Sequence, residues 1–322
     1  MELDLFTKEL VTWDYLTPDE KKEIFQSKTL KPDKPRINPF IKRWLRTRGS
    51  KKCFVETSIY ADFFKEHKFL PPDTTLSVSL SKNLQADKFC LLTDKDGDFH
   101  IKIESVELTL DTVYADQDFV DIATRNFAAG AKYRTDYPTC QMIRFSEAKG
   151  ISDIGENDIF QWNSYSPKRF SMVFVDQDAF NGDKKKDPFT YKRHNTRYFA
   201  LLRGDNCSRH LPVHMDRWKG DVGEGLSNLY TALDLSTNPE ESLGIGFENF
   251  DQGHFFMAFN LEKTENPAVF SLPDKWSNSL EVRCEPPLTT PIAKIVYAEF
   301  NTELLIDTFG NTTVMKNALA GG

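Results

Sequence analysis

Short segments in which apolar and polar residues alternate make up most of the chain from residue 53 onward. Between residues 74 and 80, Leu76, Val78 and Leu80 share one face and serines occupy the other. A period of two is typical of a β-strand with one face against a core. Together with short apolar runs, the pattern predicts strands at residues 74–80, 89–92, 99–103, 106–110, 140–145, 170–175, 198–202, 255–261, 280–284, 292–300 and 304–306.

Helical spacing is rare by comparison. One helix is indicated by apolar residues that fall on a single helical face, namely Leu226, Leu229, Tyr230 and Leu233. The pair Asn238-Pro239 lies just beyond them and is a stop signal. Many strands with long polar loops and few helices favour an all-β sandwich or jelly roll.

Residues 1–50 follow a different pattern. The capping box Thr17-Pro18-Asp19-Glu20 predicts a short helix, with proline at its first position. A second helix is expected to begin at Asn38-Pro39, and one side of it is basic, with Lys42, Arg43 and Arg46. We interpret this region as a helical N-terminal arm.

Composition narrows the class of protein further. The 322 residues are 39% hydrophobic and 13% aromatic, which is typical of a globular chain rich in strands. A net charge of -7 argues against a protein whose main task is to grip nucleic acid. The five cysteines are widely spaced and odd in number, as expected for reduced thiols. We expect no membrane span and no signal peptide, and therefore residence in the cytosol or nucleus.

Candidate chemistry is sparse, and each candidate has a simpler explanation. Residues 94–98 resemble half of a calcium loop but lack the later ligands, so a hairpin turn is favoured. His210 and His214 flank Pro212, which argues for a polar loop and against a helical metal site. The other histidines, His194 among them, stand alone, and the integrin-type tripeptide Arg203-Gly204-Asp205 is interpreted as a turn. We expect no catalytic residues, no metal and no cofactor.

Two sets of residues are candidate contact surfaces. Aromatic residues in segments too irregular for core strands are predicted to lie in loops and to contact other subunits: Phe127, Tyr133, Tyr137, Phe160, Trp162 and Tyr165. The alternative is that they cover the ends of sheets. A basic contact surface is predicted from Lys42, Arg43, Arg46, Lys184, Lys185 and Lys186. The lysine run has two further interpretations, a solvated loop and a nuclear-import signal.

Three stretches of the sequence, taken in order, resemble a known family. They are residues 69–72 followed by 87–92, residues 167–175 followed by 179–182 and 187–189, and residues 295–300 followed by 304–307. Their order and spacing are similar to those of hexon-like, double jelly-roll major capsid proteins of adenovirus-like and Polinton (Maverick)-type elements. The nearest likeness is to capsid-like reading frames in invertebrate genomes.

The resemblance implies an all-β fold of the viral jelly-roll type, with one complete jelly roll and part of a second. It divides the chain into the helical arm (residues 1–50), strands of a first jelly roll (51–115), a second jelly roll with long loops and one helix (116–310), and a tail (311–322). The family usually carries a longer segment before the first of these stretches, so the first jelly roll is expected to be incomplete.

The implied function is that of a structural capsid protein in the icosahedral shell of a double-stranded DNA virus or virus-derived element. Its expected partners are further copies, in a homotrimer, and other capsid proteins, with nucleic acid contacted only through the shell. The expected location is the virion, after synthesis in the host cytoplasm and assembly there or in the nucleus. The alternative is a β-sandwich module, domesticated from a capsid gene, that binds proteins or glycans, and an enzyme on a β-sandwich ranks third.

Overall fold

A computed structural model describes the chain in the following segments: residues 2–3, 10–11, 17–19, 22, 52–59, 77–80, 92–93, 100–109, 114–154, 160–161, 167–203, 208–215, 222–233, 235, 243–261 and 277–316. The strands are β1 (Glu2–Leu3), β2 (Leu10–Val11), β3 (Tyr133–Glu147), β4 (Asp153–Ile154), β5 (Phe160–Gln161), β6 (Arg169–Asp176), β7 (Thr196–Arg203), β8 (Ser208–His214), β9 (Met257–Asn260), β10 (Ser277–Cys284), β11 (Ile292–Ile306) and β12 (Thr312–Lys316). The helices are α1 (Gln117–Ala128), α2 (Gln177–Phe180), α3 (Gly223–Ala232) and α4 (Phe247–Asp251).

Most of the strands form two antiparallel sheets. In sheet I the order is β3, β11, β6 and β9, and β12 pairs with the last five residues of β11. In sheet II the order is β4, β10, β7 and β8, with β5 pairing farther along β10. The strand β11 is central to sheet I because both of its edges are paired. On one edge β3 pairs with it from Ile292 to Ile306, and on the other edge β6 and β12 pair with it.

The pairing defines a jelly roll. If β4 and β5 are counted as one interrupted strand, the first of eight strands pairs with the last, β3 with β11. The second pairs with the seventh, β4 and β5 with β10, the third with the sixth, β6 with β9, and the fourth with the fifth, β7 with β8. This is the pairing of a long antiparallel ribbon rolled into a two-sheet sandwich. The prediction of an all-β jelly-roll fold is confirmed.

The core lies between the two sheets. Alternate residues of β6, namely Phe170, Met172 and Phe174, are buried on one face, as period-two patterning requires. Sheet II contributes buried residues from β7 and β10, and rings pack edge to face across the interior, as between Phe199 and Phe259. The predicted helix is α3, and it packs against the same core through Leu226 and Leu229.

Several elements differ from the sequence prediction. The helices α1, α2 and α4 were not predicted, and the segment around Pro212, expected to be a polar loop, is strand β8. Residues 304–306 continue β11 and do not form a separate strand, and part of the expected tail is β12. For β8 and β12, pairing with β7 and β11 supplies the hydrogen bonds that the local pattern alone does not reveal.

The region before residue 114 is described only in short pieces. Pro18, Asp19 and Lys22 are helical, where the capping box predicts a helix, and β1 pairs with β2. The second arm helix and the Asp94–Asp98 turn lie outside the described residues. Residues 77–80, 100–103 and 106–109, predicted to lie in strands, have no strand in the structure. Ile103 and Val106 are mostly exposed there, so their alternation has no sheet to pack against.

Candidate functional site

The predicted aromatic contact residues lie in regular elements. Phe127 is in α1, Tyr133 and Tyr137 are in β3, and Phe160 is in β5, so the prediction that these four lie in loops was wrong. The irregular sequence of β3 forms a strand because all fifteen of its residues pair with β11. Phe127 and Tyr133 are half-buried. Trp162 and Tyr165 lie outside the described residues.

The basic residues are dispersed. Lys184, Lys185 and Lys186 follow α2 in a turn held by Asp183, whose carboxylate accepts from the backbone of Lys185 at 2.9 Å. The ammonium of Lys186 lies 2.9 Å from a carboxylate oxygen of Asp178, and this hydrogen bond raises the pKa of Lys186. The positive charge of Lys186 is therefore paired with a carboxylate. Lys42, Arg43 and Arg46 lie outside the described residues.

Among the described residues, Tyr133 of the aromatic set and the three lysines lie at opposite ends of sheet I. Tyr133 is the first residue of β3, and Glu147 is the last. The lysine turn lies at the Glu147 end of sheet I, because both Glu147 and Asp176, the last residue of β6, pair with Ile292. At ~3.3 Å per residue, the fourteen steps of β3 separate these ends by roughly 46 Å. Any contact made by the aromatic residues near Tyr133 is therefore distinct from one made by the lysines.

The outward face of sheet I carries a patch that the sequence analysis did not single out. Tyr297 on β11 pairs with Met142 on β3, and its neighbour on the same face, Ile295, pairs with Val173 on β6. We call Met142, Tyr297, Ile295 and Val173 the outer patch. Met142 is 71% exposed and Tyr297 is 39% exposed. The Tyr297 hydroxyl donates to the thiol of Cys140, which fixes the ring across the strands.

A second apolar surface lies on α1. The helix begins at an Asp116 cap, whose carboxylate accepts from the backbone N–H of Asp118 at 2.9 Å. Phe119 is 67% exposed and Ile122 is 55% exposed, and no residue of the helix is fully buried. The cap and the apolar spacing were visible in the sequence. A helix of 12 residues has little stability of its own, so an unburied apolar side favours a packing partner.

A buried charge cluster lies where the connection from β6 to β7 joins the two sheets. We call Asp176, Lys192 and His194 the seam cluster. The Lys192 ammonium donates to Asp176 at 2.6 Å, and Nε2 of His194 lies 3.6 Å from the other carboxylate oxygen. Burial acts to raise the pKa of Asp176, but the hydrogen bond and charge of Lys192 outweigh it and hold that pKa below its usual value.

A second buried pair lies across Ile292 from the seam cluster. The fully buried ammonium of Lys294 donates to Glu147 at 2.9 Å and lies 5.0 Å from the centre of the Phe145 ring. Burial lowers the pKa of Lys294, and the hydrogen bond and charge of Glu147 offset part of that effect. In both places the cation has a carboxylate partner, which offsets part of the cost of burying the charge.

Among the described residues, the other reactive side chains are cysteines and potential metal ligands that are not grouped together. Within the described segments, no three His, Cys, Asp or Glu residues are grouped so as to hold a metal. Burial raises the pKa of the Cys284 thiol to about 11, so it stays protonated at neutral pH. Among the described residues, Cys53, Cys140 and Cys284 form no disulfide bond. None of the helices in the described part of the chain is long and apolar enough to cross a membrane.

Comparison with known proteins finds similarity to solved structures. No protein-family model matches the chain, and no curated protein matches its sequence. The chain is similar to the crystal structure of the mavirus major capsid protein, with a TM-score of 0.35, 9% identity, and coverage of 57% of this chain and 41% of that one. It is also similar to the cryo-EM structure of the Sputnik virophage, with a TM-score of 0.36, 11% identity, and coverage of 58% and 40%.

The matched regions make up about two fifths of the length of those two chains. The jelly-roll assignment rests on the strand pairing given above and not on these matches.

Proposed function

We propose that the chain is a structural subunit of a protein shell that associates with further copies of itself. The observation that carries the proposal is the presence of two separate apolar surfaces on a closed jelly roll, the outer patch and the exposed side of α1. Apolar surface that remains exposed on a rigid sandwich is a common mark of a protein–protein contact. The pairing of buried charges inside the sandwich favours a structural role over a catalytic one.

The placement of the two surfaces supports assembly into a closed ring. Only residues 129–132 separate α1 from β3, so the helix lies at the Tyr133 end of sheet I. Met142 lies nine residues farther along β3, roughly 30 Å away. Two different surfaces on one subunit can meet each other between neighbouring copies, and such a contact closes into a ring when the rotation allows.

The finer assignments are proposed on the sequence resemblance. They are a homotrimeric capsomer in an icosahedral shell around double-stranded DNA, with other capsid proteins as partners and the virion as location. The adenovirus-like or Polinton-type origin belongs with them. The predicted contact residues Phe127, Tyr133, Tyr137, Phe160, Trp162 and Tyr165 and the basic residues remain part of the proposal. Phe127 and Tyr133 lie at the same end of sheet I as the exposed side of α1.

The proposal is tested by light scattering after size exclusion, over a concentration series. The subunit has a mass of 37.0 kDa, and we expect a particle of about three times that mass. Phe119→Asp with Ile122→Asp, and separately Met142→Asp with Tyr297→Asp, should lower the particle mass and leave the circular dichroism of the strands intact. Thr124→Glu, on the polar side of α1, is the matched control and should leave the mass unchanged.

A strict monomer at every concentration would contradict self-assembly. It would favour the alternative of a monomeric β-sandwich module, in which the outer patch binds a protein or glycan. That alternative predicts saturable binding of a peptide or glycan panel, and loss of the binding in the Met142→Asp, Tyr297→Asp variant.

A further inference from the structure

The connection between β6 and β7, residues 177–195, joins sheet I to sheet II and is tied to both. On the sheet I side, Lys192 binds Asp176 at the end of β6. On the sheet II side, the carbonyl of Asn195 accepts from the backbone N–H of Glu285 at 3.0 Å. Tyr191 also exchanges backbone hydrogen bonds with Gly253 and Phe255. The connection therefore closes one end of the sandwich.

His194 lies inside this closure. Its side chain is only 6% exposed, and its ring meets the edge of the Phe174 ring with 6.2 Å between centres. Among the described residues, Nε2 has no hydrogen-bond partner, and Asp176 is the nearest carboxylate at 3.6 Å. His194 and Asn195 both have left-handed backbone, with φ of 51° and 63°. Such backbone costs free energy in residues other than glycine, so the closed arrangement depends on the packing around it.

The charges that face His194 are already balanced without it. Asp176 on β6 is neutralised by Lys192. The charge of Lys186, although paired with Asp178, also favours the ionised form of Asp176. Across Ile292, Lys294 of β11 is paired with Glu147 of β3.

Two further ion pairs lie around this closure. Arg193, the preceding residue, binds Asp251 of α4 at 2.8 Å, and on sheet II Arg197 faces Glu285 at 3.5 Å. A proton on His194 would therefore add an uncompensated positive charge to a buried site.

We propose that the seam cluster is an acid-sensitive latch, in which protonation of His194 opens residues 177–195 locally while the rest of the jelly roll stays folded. The latch is a property of the single subunit and does not depend on assembly. At neutral pH the imidazole is uncharged and the connection is closed. In acid the buried charge is relieved when the imidazole reaches water, which requires the connection to move away from β6.

The direction in which pH changes the stability of the closed connection follows from proton linkage. Burial lowers the pKa of His194 to about 4, an effect that the nearby Asp176 carboxylate offsets only in part, whereas in the opened connection the pKa returns to 6.5. The closed state is therefore fully favoured above pH 6.5 and loses stability as the pH falls towards 4. Between pH 7 and pH 5, linkage between these pKa values increases the opening equilibrium about 20-fold.

The titration of the other ionisable groups near the connection can be distinguished from that of His194. Burial acts to raise the pKa of Asp176, but the hydrogen bond and charge of Lys192 hold that pKa below its usual value, so the carboxylate stays ionised in this range. His254, next to Phe255, is also buried, and its pKa is lowered by burial, although Nδ1 contacts the carbonyl of Asn249 at 3.1 Å. His254 is therefore the second titrating group that an experiment must distinguish.

The test is hydrogen–deuterium exchange of the full chain at pH 7, 6 and 5, corrected for the intrinsic exchange rate. We expect peptides covering residues 181–195 to open about 20-fold more at pH 5 than at pH 7, while peptides from β11 keep their protection. His194→Asn should abolish that dependence, because asparagine tolerates left-handed backbone and carries no charge. His214→Gln, at an exposed position, and His254→Gln should behave like the wild type.

Two outcomes of the exchange experiment would overturn the latch. One is a pH dependence that persists in His194→Asn or vanishes only in His254→Gln. The other is simultaneous exchange of the whole jelly roll. A direct check that needs no variant is the histidine ring titration by NMR of the wild-type protein. One buried ring should titrate near pH 4 with exchange broadening from the opened state, and a His194 midpoint at 6.5 in the closed state would also overturn the proposal.

Discussion

Lys294 lies on the same face of β11 as the core residues Ile292 and Val296, yet it carries an ammonium group. This ammonium group donates to Glu147, the last residue of β3. An ion pair in this position is costly to desolvate and stabilises the fold only while both partners are present. The pair is therefore a sensitive point of the sandwich.

Replacing Glu147 with leucine should destabilise the protein strongly. The substitution removes the carboxylate that accepts from the buried Lys294 ammonium, and we expect a loss of about 3 kcal/mol in the free energy of unfolding, at the low end for such a change. Urea unfolding followed by circular dichroism measures it. Lys294→Met should cost less, because the carboxylate that it leaves behind is partly exposed to water.

The matched control for this prediction is the exposed pair of Lys186 and Asp178. Asp178→Asn removes the carboxylate of a pair with a similar nitrogen–oxygen distance, but both side chains are in contact with water. Exposed pairs contribute about 1 kcal/mol or less, so this variant should unfold close to the wild type. Equal losses in Glu147→Leu and Asp178→Asn would show that burial does not govern these pairs.

The buried charges could not be predicted from the sequence. Lys294 and Glu147 are 147 positions apart, and His194 was interpreted as isolated although it faces Asp176. The alternation in β11 separates two faces of the strand but does not say which face is covered. For that reason the exposure of Tyr297 became visible only when its pairing with Met142 was known.

At the scale of elements, the strands with strong apolar alternation were predicted and the others were not. The strands β6, β7, β10 and β11 follow the pattern, because both the core and the pairing act on the same residues. The polar first half of β3 was missed, since its strand conformation comes from pairing with β11. Helix α1 has a clear cap and apolar spacing, so its absence from the prediction reflects an unrecognised signal and not a missing one.

Helix α3 gives a prediction about how elements pack. An added Cβ at Gly225 would lie 2.5 Å from the sulfur of Met215 and 3.2 Å from the Phe250 ring, both in the core. Gly225→Val should therefore destabilise the protein by roughly 1–3 kcal/mol through overpacking. Thermal unfolding measures the loss, and Gly246→Val, where nothing lies within 4 Å, is the control. Gly225→Val would be expected to match that control only if α3 were loosely packed.

At the scale of the whole molecule, the order in which the strands pair could not be predicted from local sequence patterns. The pairing of β3 with β11 joins Tyr133 to Ile306, and no periodicity in either segment identifies the other as its partner. The jelly roll was expected from the family resemblance, and the pairing of first with last and second with seventh strand confirms it. The proposed first jelly roll at residues 51–115 remains a prediction.

The predicted domain boundary at residue 116 can be tested with a fragment. Residues 114–316 contain α1 and every strand of the jelly roll, and the core cluster extends from Ile154 to Phe300. We therefore expect this fragment to unfold in one cooperative transition by circular dichroism. A fragment ending at residue 311 lacks β12, leaves the edge of β11 at Thr302–Ile306 unpaired, and should unfold at a lower temperature. Loss of cooperative unfolding in the longer fragment would mean that residues 1–113 contribute to the same core. That result would argue against two separate jelly rolls and for a single sandwich with an N-terminal extension packed on it.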